Sequence, residues 1–278
     1  MKQRVISAIV GLCILALVIA LFDTVLLNIA VAAIIAMSLY ELFSAAGYQK
    51  LPVTRLAIVF GAVVPFFSTA LIGKILTLVC FVFALILLCL MIKHYKTVSA
   101  EQIGFMLFFS IAISFSLSCF IYMRDMFGMA VGIYAVIVAL GGAWLNDTGA
   151  YFVGMKFGKH KLAPEISPKK TVEGFWGGII SSIFSQILLA FVYTQICAFY
   201  GVSIEINYVI LAIASPFIAL VSVVGDLSAS AMKRQFGIKD FGNIMPGHGG
   251  VMDRFDSVYL NAVLVYNLFV FMPLITVK

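Results

Sequence analysis

From Val5 to Phe22 the chain carries no charged residue, and apolar runs of 17 residues or more recur along its length. A spanning helix needs about 20 such residues, whereas barrel strands alternate apolar and polar positions over short segments. These runs do not alternate, so the pattern predicts an all-α polytopic membrane protein. Nine candidate spans can be traced, near 5–22, 24–42, 57–73, 75–92, 103–123, 127–152, 174–199, 207–225 and 257–276. The boundary between the third and fourth is placed at Gly73-Lys74. A mean hydropathy of +1.14 with 63% hydrophobic residues excludes a soluble domain.

Lys2 and Arg4 precede the first run, whose apolar core is longer than that of a signal peptide, and no small-residue cleavage site follows. The first run is therefore expected to be an uncleaved anchor. Basic residues favour the cytoplasmic side. With nine spans, 15 of the 18 Lys and Arg residues fall on the side of the N-terminus, and only Lys74, Arg124 and Lys278 on the other. The N-terminus and a polar active-site face are thus expected in the cytoplasm of a bacterial-type inner membrane. The net charge of +6 suits anionic lipid head groups and calls for no nucleic acid. Cys13, Cys80, Cys89, Cys119 and Cys197 all fall inside apolar runs, without metal-site spacing, and read as packing residues.

Composition divides the chain into N-terminal helices, 1–125, and a C-terminal catalytic region, 126–278, with long cytoplasmic loops at 154–173 and 226–256. Ser230 to Asp256 places Lys233, Arg234, Lys239, Asp240, His248, Asp253, Arg254 and Asp256 in 27 residues of a chain that is only 11% charged. A charge at a helix centre in a bilayer costs roughly 2.5–3.5 kcal/mol, so such a cluster reads as functional. If the eighth helix continues past Asp226, then Asp226, Ser230, Lys233 and Arg234 share a face. If a helix starts at Asp253, then Asp253, Asp256 and Ser257 share another. Asp226, Asp253 and Asp256 could then hold Mg²⁺, alone or with a second cation, with open positions left for phosphate. The competing reading pairs these acids with Lys233, Arg234 or Arg254.

Gly247-His248-Gly249-Gly250 exposes backbone N–H groups able to cradle an anion; a tight loop with a capping histidine is the plainer alternative. Ser167-Pro168-Lys169-Lys170-Thr171 reads as a helix start that would attract phosphate; positive-inside decoration is the plainer alternative for its lysine pair. The glycines of Glu173-Gly174-Phe175-Trp176-Gly177-Gly178 follow and allow close helix contact. Asp147, in Asn146-Asp147-Thr148, lies at the end of the sixth span. Asp23, Glu41, Asp125 and Glu205 are expected at loop edges as solvated charges, and His94 and His160 have no expected role. Together the acids, lysines and glycine turns point to phosphate chemistry at one membrane face.

The run Ser230-x₂-Lys233-Arg234-x₄-Lys239-Asp240-x-Gly242-x₃-Pro246-x-His248-Gly249-Gly250-x₂-Asp253-Arg254-x-Asp256 resembles the signature of the phosphatidate cytidylyltransferases, with Met245 where Leu, Ile or Phe is more usual. The segments around Asp147 and Ser167–Thr171 resemble upstream motifs of the same family. The resemblance implies transfer of a cytidylyl group from CTP to phosphatidate, giving CDP-diacylglycerol and pyrophosphate, by a bilayer-embedded homodimer that needs a divalent cation such as Mg²⁺. It implies metal ligation by Asp226 and Asp253, with Asp256 beside them, and turns Lys239 and His248 toward the substrate, where we expect catalytic roles for both. Asp147, Ser167, Lys169, Lys170, Thr171, Ser230, Lys233, Arg234, Asp240, Gly249, Gly250 and Arg254 form the implied substrate-facing set. A CTP-dependent polyprenol or phytol kinase is the rival enzyme. A transporter is the rival outside enzymes, disfavoured because the acids gather at helix ends.

Overall fold

The computed structural model describes residues 2–67, 69–245, 249–272 and 274–277. The side chains of residues 2–8 and 69–73 are outside that description. The chain is mostly helical, as the apolar runs require: α1 (Lys2–Ala20), α2 (Val25–Ala45), α3 (Thr54–Val63), α4 (Thr69–Lys93), α5 (Ala100–Phe157), α6 (Val172–Phe199), α7 (Tyr208–Gln235), α8 (Met252–Phe255) and α9 (Val258–Phe271). Short strands β1 (Lys161–Ala163), β2 (Ser167–Thr171), β3 (Ile204–Ile206) and β4 (Ile275–Val277) form two antiparallel pairs, β1 with β2 and β3 with β4. Among the described residues, five helices are long and apolar enough to cross a membrane: Val25–Ala45, Lys74–Lys93, Ala100–Phe157, Val172–Phe199 and Tyr208–Gln235. The protein is a polytopic helical membrane protein.

Several boundaries differ from the sequence expectation. The break between the third and fourth expected spans lies before Thr69 and not at Gly73-Lys74. There α3 tightens into a single 3₁₀ turn, Val64–Phe66, around Pro65, which has no N–H to continue the α ladder. The fifth and sixth expected spans are, as expected, two helices: the stretch α5 is broken at Gly128 (φ 74, ψ −175), which ends one and begins the other. Only glycine takes that conformation without steric cost. The last helix has 14 residues, fewer than the expected 257–276, because the chain turns extended at Met272 and its end pairs as β4 with β3.

By its contacts the chain forms two compact units, residues 1–125 with 236–254, and residues 126–235 with 255–278. In the first unit α2 buries Leu27, Val31, Ile35, Leu39 and Leu42 and packs on α3. The ring of Phe60 stacks on Phe83 at 3.7 Å between centroids. Only 11% of the apolar window of α4 is buried, which leaves its outer faces for lipid.

In the second unit α7 packs on α6 and α9. Tyr134 is fully buried and stacks on Tyr193, whose hydroxyl donates to the Ala130 carbonyl at 2.6 Å. The start of α6 lies against the end of α5 almost backbone to backbone. A Cβ on Gly174 would come 2.7 Å from the Ala150 carbonyl oxygen and 3.2 Å from Gly154 Cα. The glycines after Thr171 thus serve close helix contact. All five cysteines are free, and only Cys119 and Cys197 are buried.

Candidate active site

The second unit gathers the upstream acids and lysines. Its loop between α5 and α6 is a hairpin, β1 and β2, with Lys161 opposite Thr171 and Ala163 opposite Ser167. Ser167 and Pro168, expected to open a helix, lie instead in β2. The helix starts four residues later because Thr171 caps it: its Oγ1 accepts the Gly174 N–H at 3.1 Å. Successive strand residues point to opposite faces, and Lys169 is exposed while Lys170 is half-buried.

The Lys170 ammonium pairs with Asp226 Oδ2, joining β2 to α7. A second tie runs from Arg234 Nε to the Ile166 carbonyl at 3.1 Å. His160, for which no role was expected, hydrogen-bonds Glu173 at 2.6 Å, and Glu173 also accepts the Lys159 N–H. This latch holds the base of the hairpin to the first turn of α6.

The helix α7 does continue past Asp226, to Gln235, and buries Ser230 and Lys233. Asp253, Asp256 and Ser257 do not share one helical face, because α8 stops at Phe255 and α9 begins at Val258. At this break the chain passes close to α7: a Cβ on Gly225 would come 2.6 Å from the Asp256 carbonyl oxygen and 2.9 Å from Ser257 Cα. The bare glycine lets the 256–257 backbone rest against α7, next to Asp226. Asp256 is 5% exposed. Burial, then the Asp226 carboxylate, with Asp147 adding less, pushes its carboxyl up to about 8 against the opposing pull of Lys233.

A cavity of about 440 Å³ opens in this unit, lined by Asp147, Lys169, Lys170, Thr171 and Asp226 on its polar part. Tyr151, Met155, Leu162 and Phe175 are among its apolar walls. Cation-bearing and acidic groups thus share a chamber whose remaining walls suit an aromatic or hydrocarbon group.

In the first unit the glycine-rich segment is organised by Asp253. Its Oδ2 accepts the Phe241 N–H at 2.8 Å and the Gly250 N–H at 3.0 Å. Gly249 (φ +86) passes close by, with room for a Cβ only 3.1 Å from the same oxygen. Lys239, Asp240 and Arg254 are exposed. His248, with Pro246 and Gly247, lies outside the described residues, so the expected anion cradle does too. Glu41 is not the solvated loop-edge charge expected: it sits in α2 and is 3% exposed. No local pattern marked it, since its partner, the Met252 N–H at 2.8 Å, is 211 positions away.

Among the described residues no group of three or more His, Cys, Asp or Glu side chains is arranged to hold a metal ion. Magnesium asks for less: one or two carboxylates, with water and substrate phosphate completing its shell. Asp226 and Asp256, whose like charges act on one another, fit that smaller donor set.

The model of the Cytidylyltransferase family matches residues 2–272. A phosphatidate cytidylyltransferase of Bacillus subtilis is 39% identical over 186 residues, covering 66% of this chain and 64% of the relative. One of Staphylococcus haemolyticus is 44% identical over 126 residues, 45% of each. One of Staphylococcus epidermidis is 36% identical over 175 residues, 62% of this chain and 63% of the relative. In each case the chain covers less than two thirds of the relative's own length.

Proposed function

The chain belongs to the cytidylyltransferase family, and from that premise we propose that it transfers the cytidylyl group of CTP to phosphatidate, releasing pyrophosphate and leaving CDP-diacylglycerol in the membrane. The observation that carries this reading is the cavity of the second unit, where Lys169, Lys170, Asp147 and Asp226 meet apolar walls. The relatives named phosphatidate cytidylyltransferase add their support.

In the proposed reaction a phosphatidate oxygen attacks the α-phosphorus of CTP, and the bond from that phosphorus to the bridging oxygen of the β-phosphate breaks. The attacking phosphate is already anionic at neutral pH, so no strong base is needed. The work is positioning and charge neutralisation. Lys169 and Lys170 hold the triphosphate, and Lys170 exchanges its pairing with Asp226 for phosphate as the nucleotide enters. The first turn of α6, whose N–H groups follow the Thr171 cap, presents further donors to an anion. Asp226 and Asp256 would hold Mg²⁺, which when bound neutralises phosphoryl oxygens and eases departure of pyrophosphate. For Asp253, Lys239, His248, Arg254, Ser230 and Asp240 the support is the family signature.

The proposal includes nine spans with the N-terminus and active site in the cytoplasm, for which the 15-to-3 division of basic residues is the support. It also includes a homodimer, carried over from the family resemblance. The test supplies the purified protein with phosphatidate, Mg²⁺ and CTP labelled at either the α- or the γ-phosphorus. Label from the α-position in the lipid extract is expected. Label from the γ-position alone would make the protein a CTP-dependent kinase, and no label in lipid would remove the enzymatic reading.

A further inference from the structure

Glu41 is the one acid on α2, four residues before the helix ends at Ala45, and it is buried. A carboxylate withdrawn from water is costly unless it is hydrogen-bonded or paired. Its Oε2 accepts the Met252 N–H at 2.8 Å, and Oε1 has no hydrogen-bond partner among the described residues. Two glycines of the signature form the walls around it. A Cβ on Gly242 would overlap Oε1, and a Cβ on Gly250 would overlap Oε2. A side chain at either position would have to displace the carboxylate that reaches in from α2.

Asp253 holds the same segment by two other amides, those of Phe241 and Gly250. The amides of Phe241, Gly250 and Met252 are thus tied by two carboxylates: one belongs to the segment, and one reaches in from α2.

We infer that Glu41 is a positioning residue for the reaction: by occupying the space at Gly242 and Gly250 and binding the Met252 amide, it sets the segment that carries Asp253. The inference rests on the proposed cytidylyl transfer for its functional meaning, but its structural part can be read without turnover. A misplacement of about 1 Å in a catalytic constellation costs on the order of 100-fold in rate, and that is the loss expected here.

The experiment compares the unaltered chain with Glu41→Ala and Glu41→Gln in detergent, by hydrogen exchange of peptides covering 249–254 and by steady-state kinetics in CTP. Glu41→Ala is expected to lose amide protection in that segment while peptides from α9 keep theirs. Its kcat should fall by about 100-fold with little change in KM. Glu41→Gln retains an acceptor for the Met252 N–H and should recover most of both protection and rate. Should the alanine protein fail to fold, the glutamine protein decides: wild-type protection with recovered turnover supports the inference, and lost turnover with intact protection overturns it. Normal turnover or unchanged protection in Glu41→Ala overturns it as well. If the wild-type protein transfers no cytidylyl group, the proposed function falls while the exchange data still decide whether Glu41 sets the segment.

Discussion

Asp256 illustrates how a proposed metal ligand can oppose stability. It is buried next to Asp226 and within reach of Asp147, with Lys233 offsetting only part of the repulsion. Its Oδ1 accepts the neighbouring Ser257 N–H at 2.8 Å, a bond that an asparagine oxygen keeps. Asp256→Asn is therefore expected to raise the melting temperature of the chelator-treated protein by about 2–4 °C, the shift worth about 1 kcal/mol at this size. The same change should lower cytidylyl transfer by about 10²–10³-fold, as loss of a preorganised electrostatic contact does. A thermal melt beside a turnover assay checks both halves; a destabilised variant would contradict the repulsion. At this scale the sequence exposed the acids and lysines because each is conspicuous against apolar neighbours. Glu41 escaped notice since its purpose lies in residues 211 positions downstream. The close approach of residue 256 to α7 beside Asp226 depends on Gly225, whose importance is visible only where α7 meets the 256–257 backbone.

The helices were legible as elements because hydrocarbon solvent leaves the backbone no other way to satisfy its polar groups. Length and apolarity therefore locate most of them, while the continuation of α7 past Asp226 stands in the sequence only as a condition. The hairpin was not legible: β1 and β2 are three and five residues long, too short for an alternation to register, and Ser167-Pro168 mimics a helix start. The real start is the Thr171 cap. Thr171→Ala removes the acceptor for the Gly174 N–H, and loss of a threonine cap costs about 1 kcal/mol. Since Lys169 and Lys170 precede that cap in the same strand, the variant should also bind CTP more weakly. Chemical or thermal denaturation checks the first effect and the CTP dependence of the rate checks the second. Gly128 belongs to this scale too: the sequence separates two spans near 124–126, and a single residue of positive φ at 128 is what divides the two helices.

At the scale of the whole molecule, the uneven distribution of Lys and Arg predicts which end faces the cytoplasm. A fluorescent protein fused before Met1 is expected to fluoresce in bacterial cells. Alkaline phosphatase fused after Lys278 should be active, since nine spans put the termini on opposite sides; an inactive fusion there would argue for an even number. The contact-defined units are both discontinuous in sequence, with 236–254 belonging to the unit of the first 125 residues. That interleaving could not be read from composition, which divides the chain at a single point. It gives the buried carboxylate of α2 a history. Glu41 leaves the ribosome 211 residues ahead of Met252, and at about 5–20 residues per second translation needs roughly 10–40 s to deliver that partner. For that interval the nascent helix carries an acid whose native amide does not yet exist, and only elongation past Met252 gives it one.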